Sequence, residues 1–408
     1  MAKIGVFGGT FNPPHKGHLL AAETAWNSLG LDRVIFLPDS QPPHKDMPDG
    51  SPDAMARLEL VRAATAHLPF ASVSDLELQR EGKSYTADTL ELLRQQYPED
   101  TLYLITGTDM FLTLHSWYHP ERICENAVIV GLRRKGTDQA AEFEAQKEKL
   151  EQAYGARVIL LENDPLEISS SRVRRLLVLG APEKYVPEPV LEIIRKRKLY
   201  GVGRNYKNLP LDQLREVATG LLKKKRVDHV LGCAATAEKL AGIYGADPVT
   251  ALRAGLLHDV TKAIDGEDQL LLVDKYDIVI SDFERTHPKL LHAKTGAAVA
   301  KYVFGESEAV EKAIYWHTTG RADMTLMEKI VYLADYMEPT RSFPGVEALR
   351  ELAWKDLDHA LLLAFRMCVD ELVRENKAVC ADSQEALDFL AAQLGETVNL
   401  HEWRKRDC

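Results

Sequence analysis

The sequence predicts two domains of different class: a parallel-sheet α/β domain over residues 1–204, then an all-α domain over 205–408 with its core at about 210–375. Three observations carry this reading. Up to about residue 200, short apolar runs alternate with amphipathic helical patterns, as in a sheet with helices on both faces. From Leu211 onward the strand signal vanishes and long helical patterns follow one another. A chain of 408 residues also exceeds what one hydrophobic core usually serves.

In the first half, Ile4 to Phe7, Val34 to Leu37, Leu102 to Ile105, Ala127 to Val130 and Val158 to Leu161 read as buried strands. Helices are expected at Leu19 to Leu29, Ala54 to His67, Ala87 to Tyr97 and Gln139 to Tyr154. Ligands of such sheets sit beyond the carboxyl ends of the strands, so the segments that follow strands are the ones to weigh. The first is Gly8-Gly9-Thr10-Phe11-Asn12-Pro13-Pro14-His15-Lys16-Gly17-His18-Leu19. Its two glycines let the backbone approach a ligand, and a helix starting near Gly17 aims its free N–H groups at an anion. His15 and His18 can donate to phosphate oxygens there.

Further along, Pro42-Pro43-His44-Lys45 offers Lys45 as a flexible cation, although a solvated loop lysine is the simpler reading in isolation. Ser84-Tyr85-Thr86 stands before a helix, with Thr86 as its N-cap. Asp109, at the end of Thr106-Gly107-Thr108-Asp109, projects at the ligand edge as an acceptor for a ribose hydroxyl. Trp117 can stack on a flat heteroaromatic ring, against the commoner core role of a lone tryptophan. After the last strand, Ser169-Ser170-Ser171-Arg172-Val173-Arg174-Arg175 opens a helix and forms a second anion cradle, with Arg172 and Arg175 near its first turn.

These segments, in this order, resemble bacterial nicotinate-nucleotide adenylyltransferases of the H-x-G-H nucleotidyltransferase superfamily. The resemblance implies a Rossmann-like nucleotidyltransferase fold. It also implies transfer of AMP from ATP, carried with Mg²⁺, to nicotinate mononucleotide, giving deamido-NAD and pyrophosphate. Carried over by residue, ATP falls to Gly8, Gly9, Phe11, His15, His18, Asp109, Ser169, Ser170 and Arg172. The mononucleotide falls to Thr10, Lys45, Ser84, Tyr85, Thr86 and Trp117, and catalysis to His15, His18, Lys45 and Arg172. Preference for the carboxylate form of the pyridine is inherited from the resemblance alone, so nicotinamide mononucleotide or another phosphorylated acceptor stays open.

In the second half, helical patterns run over Leu211 to Lys224, Val227 to Tyr244, Val249 to Lys262, Ala293 to Phe304, Glu308 to Trp316, Leu326 to Met337 and Glu347 to Arg374. Polar residues interrupt their apolar faces at His229, His258, Asp259, His292, His317 and Asp335. Singly, each histidine reads as a satisfied or partly exposed side chain. Asp335 is harder to place so, because a carboxylate on an apolar face must pair or bind metal. As a set they offer the imidazole and carboxylate donors that iron, manganese and zinc accept.

The order H…HD…H…H…D resembles the HD superfamily of metal-dependent phosphohydrolases. Leu256 to Lys262, His317 to Arg321 and Tyr332 to Pro339 resemble the bacterial members that split diadenosine tetraphosphate symmetrically into two ADP. That resemblance implies two divalent ions, iron first with manganese or zinc as alternatives, held by His229, His258, Asp259, His292, His317 and Asp335. Asp259 would bridge them as the catalytic carboxylate, and Lys262, Arg321 and Arg341 would face the polyphosphate. Two alternatives stand: hydrolysis of another nucleotide, and a non-catalytic metal-stabilised module for regulation or dimerisation. His229 is followed by Val230 where a small polar residue is more usual, and Ser383 to Cys408 has no counterpart.

Composition narrows the classes further. The net charge of −10 argues against a nucleic-acid or anionic-membrane binder. No apolar run approaches the roughly 20 residues that span a bilayer. The five cysteines lack C-x-x-C spacing, which fits reduced thiols in the cytoplasm. A homo-oligomer is compatible with the sequence.

Overall fold

The computed structural model describes residues 1–42, 46–80, 82–134, 138–163, 166 and 168–396. The chain divides into two compact units, Met1–Arg204 and a second that begins at Asn205. In the first, the elements in order are β1 (Lys3–Gly9), α1 (Lys16–Leu29), β2 (Arg33–Pro38), α2 (Ala54–Thr65), β3 (Ala71–Val73), α3 (Thr86–Gln96) and β4 (Thr101–Gly107). There follow α4 (Thr108–Thr113), α5 (Pro120–Asn126), β5 (Val128–Arg134), α6 (Ala140–Tyr154), β6 (Val158–Asn163), α7 (Ser170–Leu179) and α8 (Glu188–Arg197).

The described strands form one parallel sheet in the order β3-β2-β1-β4-β5-β6. Successive residues of a strand face opposite sides, so both faces need apolar cover. Ile4, Val6, Ile35, Leu37 and Leu104 enter one core cluster, whereas Phe7, Val34, Phe36 and Ile105 enter the other. This is why the strands read as unbroken apolar runs. The order reverses between β1 and β4, and ligands of open parallel sheets bind at such a switch point. Gly9 is in register with Pro38, so the turns after β1 and β2 leave the same edge.

Some local expectations change. β3 escapes the sequence because three partly buried residues carry too little pattern. Thr86 is not the N-cap of α3; Tyr85 holds that position with extended dihedrals, and Thr86 is the first helical residue.

The second unit contains α9 (Leu211–Gly220), α10 (Val227–Tyr244), α11 (Pro248–Leu257), α12 (Gly266–Lys275), α13 (Asp282–Thr286), α14 (Leu291–Tyr302), α15 (Glu308–Trp316), α16 (Leu326–Met337), α17 (Val346–Ala353), α18 (Leu357–Arg374) and α19 (Ala381–Leu394). Among the described residues it has no strand. The helix expected to reach Lys262 ends at Leu257. The one expected over 347–374 is broken before Asp356, whose carboxylate caps α18 by accepting from the His359 N–H at 3.1 Å. Helix α19 lies where the sequence offered no counterpart, yet Ala386, Leu387 and Leu390 share a core with Phe365 and Leu361 of α18.

Two positions show how tightly the units are specified. At Gly255, a Cβ would lie 2.5 Å from the Ala234 Cα, so α10 and α11 meet backbone to backbone there. Gly255→Ala should destabilise the helical unit by about 1–3 kcal/mol, seen as an earlier urea midpoint of the full chain. In the first unit, Glu77 is buried and accepts from the Thr89 hydroxyl at 2.8 Å. Burial pushes its carboxyl up to about 7 from an ordinary 4.5. The folded state therefore binds the extra proton, and the stability it contributes is full below the unfolded value and lost as pH rises through about 7. Glu77→Gln, which keeps the neutral form, should flatten melting temperature against pH over that window and raise it at pH 8.

Candidate functional site

The first site begins where β1 ends. The chain turns through Thr10 to Pro14 and enters α1 with His15 as N-cap. Phe11 sits at φ 45, a left-handed conformation uncommon outside glycine. Its buried ring packs on Phe7 and His18, with centroids 5.8 and 5.0 Å away. Neither Gly8 nor Gly9 is left-handed, and a Cβ at Gly8 would meet nothing within 4 Å. Space beside the turn, rather than backbone conformation, is what those glycines provide. Gly17 differs: its Cβ would lie 2.8 Å from Ile168 Cγ2 and 3.1 Å from His15 Nδ1. Glycine there lets α1 press against the segment that leads into α7.

The two histidines are coupled. The His15 main-chain N–H donates to His18 Nδ1 at 3.1 Å, which places the proton of a neutral His18 on Nε2. The rings stack with centroids 3.6 Å apart. Burial, and then the neighbouring His18, holds the His15 pKa well below its usual range, so His15 is neutral at pH 7.

Helix α7 docks onto this turn. Ser169 caps it by accepting from the Arg172 N–H at 3.2 Å. Ser170 Oγ donates to the Pro13 carbonyl at 3.0 Å, and Arg174 donates to the Asn12 carbonyl at 2.6 Å. Arg172 donates to the Tyr185 hydroxyl at 2.8 Å and lies over that ring, while the Tyr185 carbonyl accepts from the Lys16 N–H at 2.8 Å. The structure thus brings His15, His18, Ser169, Ser170 and Arg172 to one turn, and adds Arg174 and Tyr185, which sequence reasoning did not single out as ligand-facing.

On the other side, Thr10 Oγ donates to Asp39 at 2.9 Å, and Asp39 pairs with buried Arg57 at 3.0 Å. Ser84 Oγ accepts from the Ser40 N–H at 3.1 Å. The rings of Tyr85 and exposed Tyr118 lie 4.3 Å apart, which joins the Ser84–Thr86 segment to the chain just after Trp117. Trp117 is half-buried and its Nε1 donates to Thr113 Oγ at 3.3 Å. Asp109 is exposed, the second residue of α4 directly after β4. Lys45 lies outside the described residues.

The second site is built from histidines whose Nδ1 atoms are all engaged. His258, His292 and His317 donate from Nδ1 to the carbonyls of Gly255, Lys289 and Ile314 at 2.7, 2.6 and 2.6 Å. His229 Nδ1 faces Glu338 Oε1 at 2.9 Å. Each Nε2 lone pair is therefore directed inward. Between them stands Asp259, buried at 0% exposure. Its Oδ2 lies 3.7 and 3.5 Å from the Nε2 atoms of His229 and His258, and its Oδ1 lies 3.4 and 3.8 Å from those of His292 and His317. Asp335 Oδ1 is 3.0 Å from His229 and 3.6 Å from His258.

Two tests of metal fit are met. Facing Nε2 atoms lie 3.3 Å apart for His229 and His258 and 3.1 Å apart for His292 and His317, separations that lone pairs tolerate when a cation sits by them. Asp259 Oδ1 is buried without a hydrogen-bond donor. Two groups, His229 with His258 and Asp335, and His258 with Asp259 and His317, place their donor atoms within 4.8 Å of one another. An imidazole and carboxylate set of this kind suits a divalent first-row metal.

Cations surround this centre. Lys262 Nζ is 2.8 Å from His292 Nε2, and Arg341 pairs with Asp335 at 2.6 Å. Arg321 is placed instead against buried Glu328 at 3.0 Å. Sequence reasoning missed Arg226, which pairs with Asp259 Oδ2 at 2.5 Å, and Glu338, which is fully buried. The signal for Glu338 was its place three residues after Asp335, on the same helical face. Gly232 makes room for it, since a Cβ there would lie 2.6 Å from Glu338 Oε2. No described helix is long and apolar enough to cross a membrane.

Comparison with known proteins separates the two units in the same way. A cytidylyltransferase-like family model matches residues 6–176, and an HD domain model matches residues 226–340. A probable nicotinate-nucleotide adenylyltransferase from Geobacter metallireducens is 42% identical over 212 residues, covering 48% of this chain and 98% of that protein. One from Exiguobacterium sibiricum is 40% identical over 199 residues, with 48% and 98% covered. Among solved structures, a predicted HD superfamily hydrolase involved in NAD metabolism from Clostridium acetobutylicum is 37% identical, covers 45% of this chain and 98% of its own, and has a TM-score of 0.44. With nearly the whole length of such relatives aligned to its first half, the chain belongs to the nicotinate-nucleotide adenylyltransferase family and carries an HD domain in its second half.

Proposed function

We propose that the first unit transfers AMP from ATP to nicotinate mononucleotide and that the second hydrolyses diadenosine tetraphosphate symmetrically. For the first, the carrying observation is the paired His15–His18 turn with α7 docked on it, in a chain whose relatives bear that activity in their names. A phosphate oxygen of the mononucleotide attacks the α-phosphorus of ATP; that P–O bond forms as the bond to the β-phosphate oxygen breaks, giving deamido-NAD and pyrophosphate. No side-chain nucleophile is needed, so positioning and charge stabilisation carry the catalysis. His18 presents Nε2–H to a phosphate oxygen while His15, kept neutral by burial, adds a donor or acceptor without repelling it. The N-termini of α1 and α7 add oriented N–H groups. Arg172, and Lys45 from outside the described residues, serve the phosphates, and Mg²⁺ accompanies the nucleotide. Trp117 and Tyr85 offer the pyridine its aromatic surface.

For the second, the carrying observation is Asp259 set between two pairs of inward-facing imidazoles. His229, His258 and Asp335 with one oxygen of Asp259 would hold one ion, and His292 and His317 with the other oxygen a second. Iron is the metal expected, with manganese and zinc as alternatives. Such ions supply charge to the phosphoryl oxygens and activate water. Water adds to one of the two central phosphorus atoms as the bridging P–O bond breaks, releasing two ADP. Lys262, Arg341 and Arg226 line the approach for a polyanion. Four of the cysteines are free in the structure, which supports a cytoplasmic setting.

Four measurements test these readings. His18→Ala should lower kcat for pyrophosphate release about 10²–10³-fold, the scale of losing one donor to a developing oxyanion. Nicotinamide mononucleotide, offered in place of the nicotinate form, should turn over more slowly, and equal rates would remove the stated preference. Asp259→Ala should lose both bound metal, read by elemental analysis, and ADP formation, whereas metal retained in a wild-type chain inert to diadenosine tetraphosphate would favour a scaffold. Glu338→Gln should weaken metal binding about 10–100-fold in a chelator competition, as expected for a carboxylate that orients a ligand histidine.

A further inference from the structure

We infer that Arg57 is a positioning residue for the mononucleotide half of the first site, a role that rests on the adenylyl-transfer reading. Arg57 is on α2 and only 1% exposed, so its charge must be paired and its donors placed. Its guanidinium does so across two loops. It donates to the Thr10 carbonyl at 2.7 Å, to Asp39 Oδ1 at 3.0 Å and to the Ser40 carbonyl at 3.0 Å. Asp39 closes the circuit: its Oδ2 accepts from the Thr10 hydroxyl and its N–H donates to the Gly9 carbonyl at 3.1 Å. The next residue carries the connection onward, because the Ser40 N–H donates to Ser84 Oγ and the Ser84 N–H donates to the Gln41 carbonyl at 3.1 Å.

One buried cation thus fixes the turn after β1, the loop after β2 and the segment before α3. Thr10, which it binds directly, and Ser84, which it reaches through Ser40, are assigned to the mononucleotide; of the ATP residues the circuit meets Gly9, through the Asp39 main-chain N–H. The histidines assigned to ATP are held by other means, namely the hydrogen bond within α1 and the docking of Ser170 and Arg174. Arg57 therefore acts on one substrate more than on the other. A lysine cannot replace it, since a point charge does not span three fixed acceptors as a planar fork does.

The test is steady-state pyrophosphate release by the full chain, with ATP and nicotinate mononucleotide varied separately, for Arg57→Lys and Asp39→Asn. Arg57→Lys should raise KM for the mononucleotide about tenfold or more while KM for ATP stays within about twofold, the pattern of lost binding to one substrate. Asp39→Asn, which keeps the shape but removes the charge, should move the same way and decides the matter if the lysine variant does not fold. Metal content of the second unit should be unchanged in both. Equal rises in the two KM values, or an unchanged KM for the mononucleotide, would overturn the positioning role. Absence of transfer by the unsubstituted chain would overturn the activity reading itself, before any variant is compared.

Discussion

The helical unit is organised around a carboxylate that has no business being buried alone. Asp259 is fully enclosed, one of its oxygens has no hydrogen-bond donor, and a charge in that position is strongly unfavourable unless cations compensate it. Everything close to it answers that need. Imidazole nitrogens whose lone pairs would hold a cation converge on both oxygens, Arg226 and Lys262 reach it from the rim, and Glu338 and three backbone carbonyls fix the histidines from behind. The close approach at Gly255 then acquires a purpose, because it sets the spacing of α10, which carries His229, against α11, which leads into His258.

The first unit solves an opposite problem, holding open the turn at which the anion site is proposed. Its turn from Gly8 to His15 is suspended from several sides. Arg57 pulls on Thr10, Arg174 on Asn12 and Ser170 on Pro13, and each bond ends on a main-chain carbonyl. Carbonyls engaged in this way are not left to repel an anion at the turn. Asp39 illustrates the consequence. It stands just after β2, where dinucleotide-binding sheets place an acid for a ribose hydroxyl. Here both its oxygens are taken by Arg57 and Thr10, so a shared strand order supports a different use of the same position.

How much of this was legible follows from the range of each signal. Strands such as Val34–Leu37 and the long helices of the second unit were readable because burial on a periodic face leaves a pattern in adjacent residues. The three residues of β3 and the short α4 and α5 leave too little pattern. The motif residues His15, His18, His258 and Asp259 were singled out because their types suit the chemistry. Arg57, Tyr185, Arg226 and Glu338 were not, since each acts through a partner between 13 and 109 residues away. Nothing local distinguishes a buried arginine from a solvated one. Thr86 failed for a related reason: the preference of threonine for an N-cap yields when the chain enters the helix one residue earlier.

The same side chain is set in opposite ways in the two units, and the group that meets its Nδ1 decides which. Near the start of α1, His18 meets a spare main-chain N–H, that of His15, so its Nδ1 accepts and its Nε2 becomes the proton-bearing atom. That histidine is suited to an anion. His258 and His317 follow the last residues of α11 and α15, where carbonyls three residues back take the ring N–H, that of Ile314 beside the His317 main-chain N–H at 3.4 Å, so Nδ1 donates and Nε2 keeps its lone pair. His292 gains the same polarity from the Lys289 carbonyl of the short turn ahead of α14. Those histidines are suited to a cation. A histidine motif read without the partner of its Nδ1 is therefore ambiguous between anion and cation, and an N–H or a carbonyl at that atom resolves it.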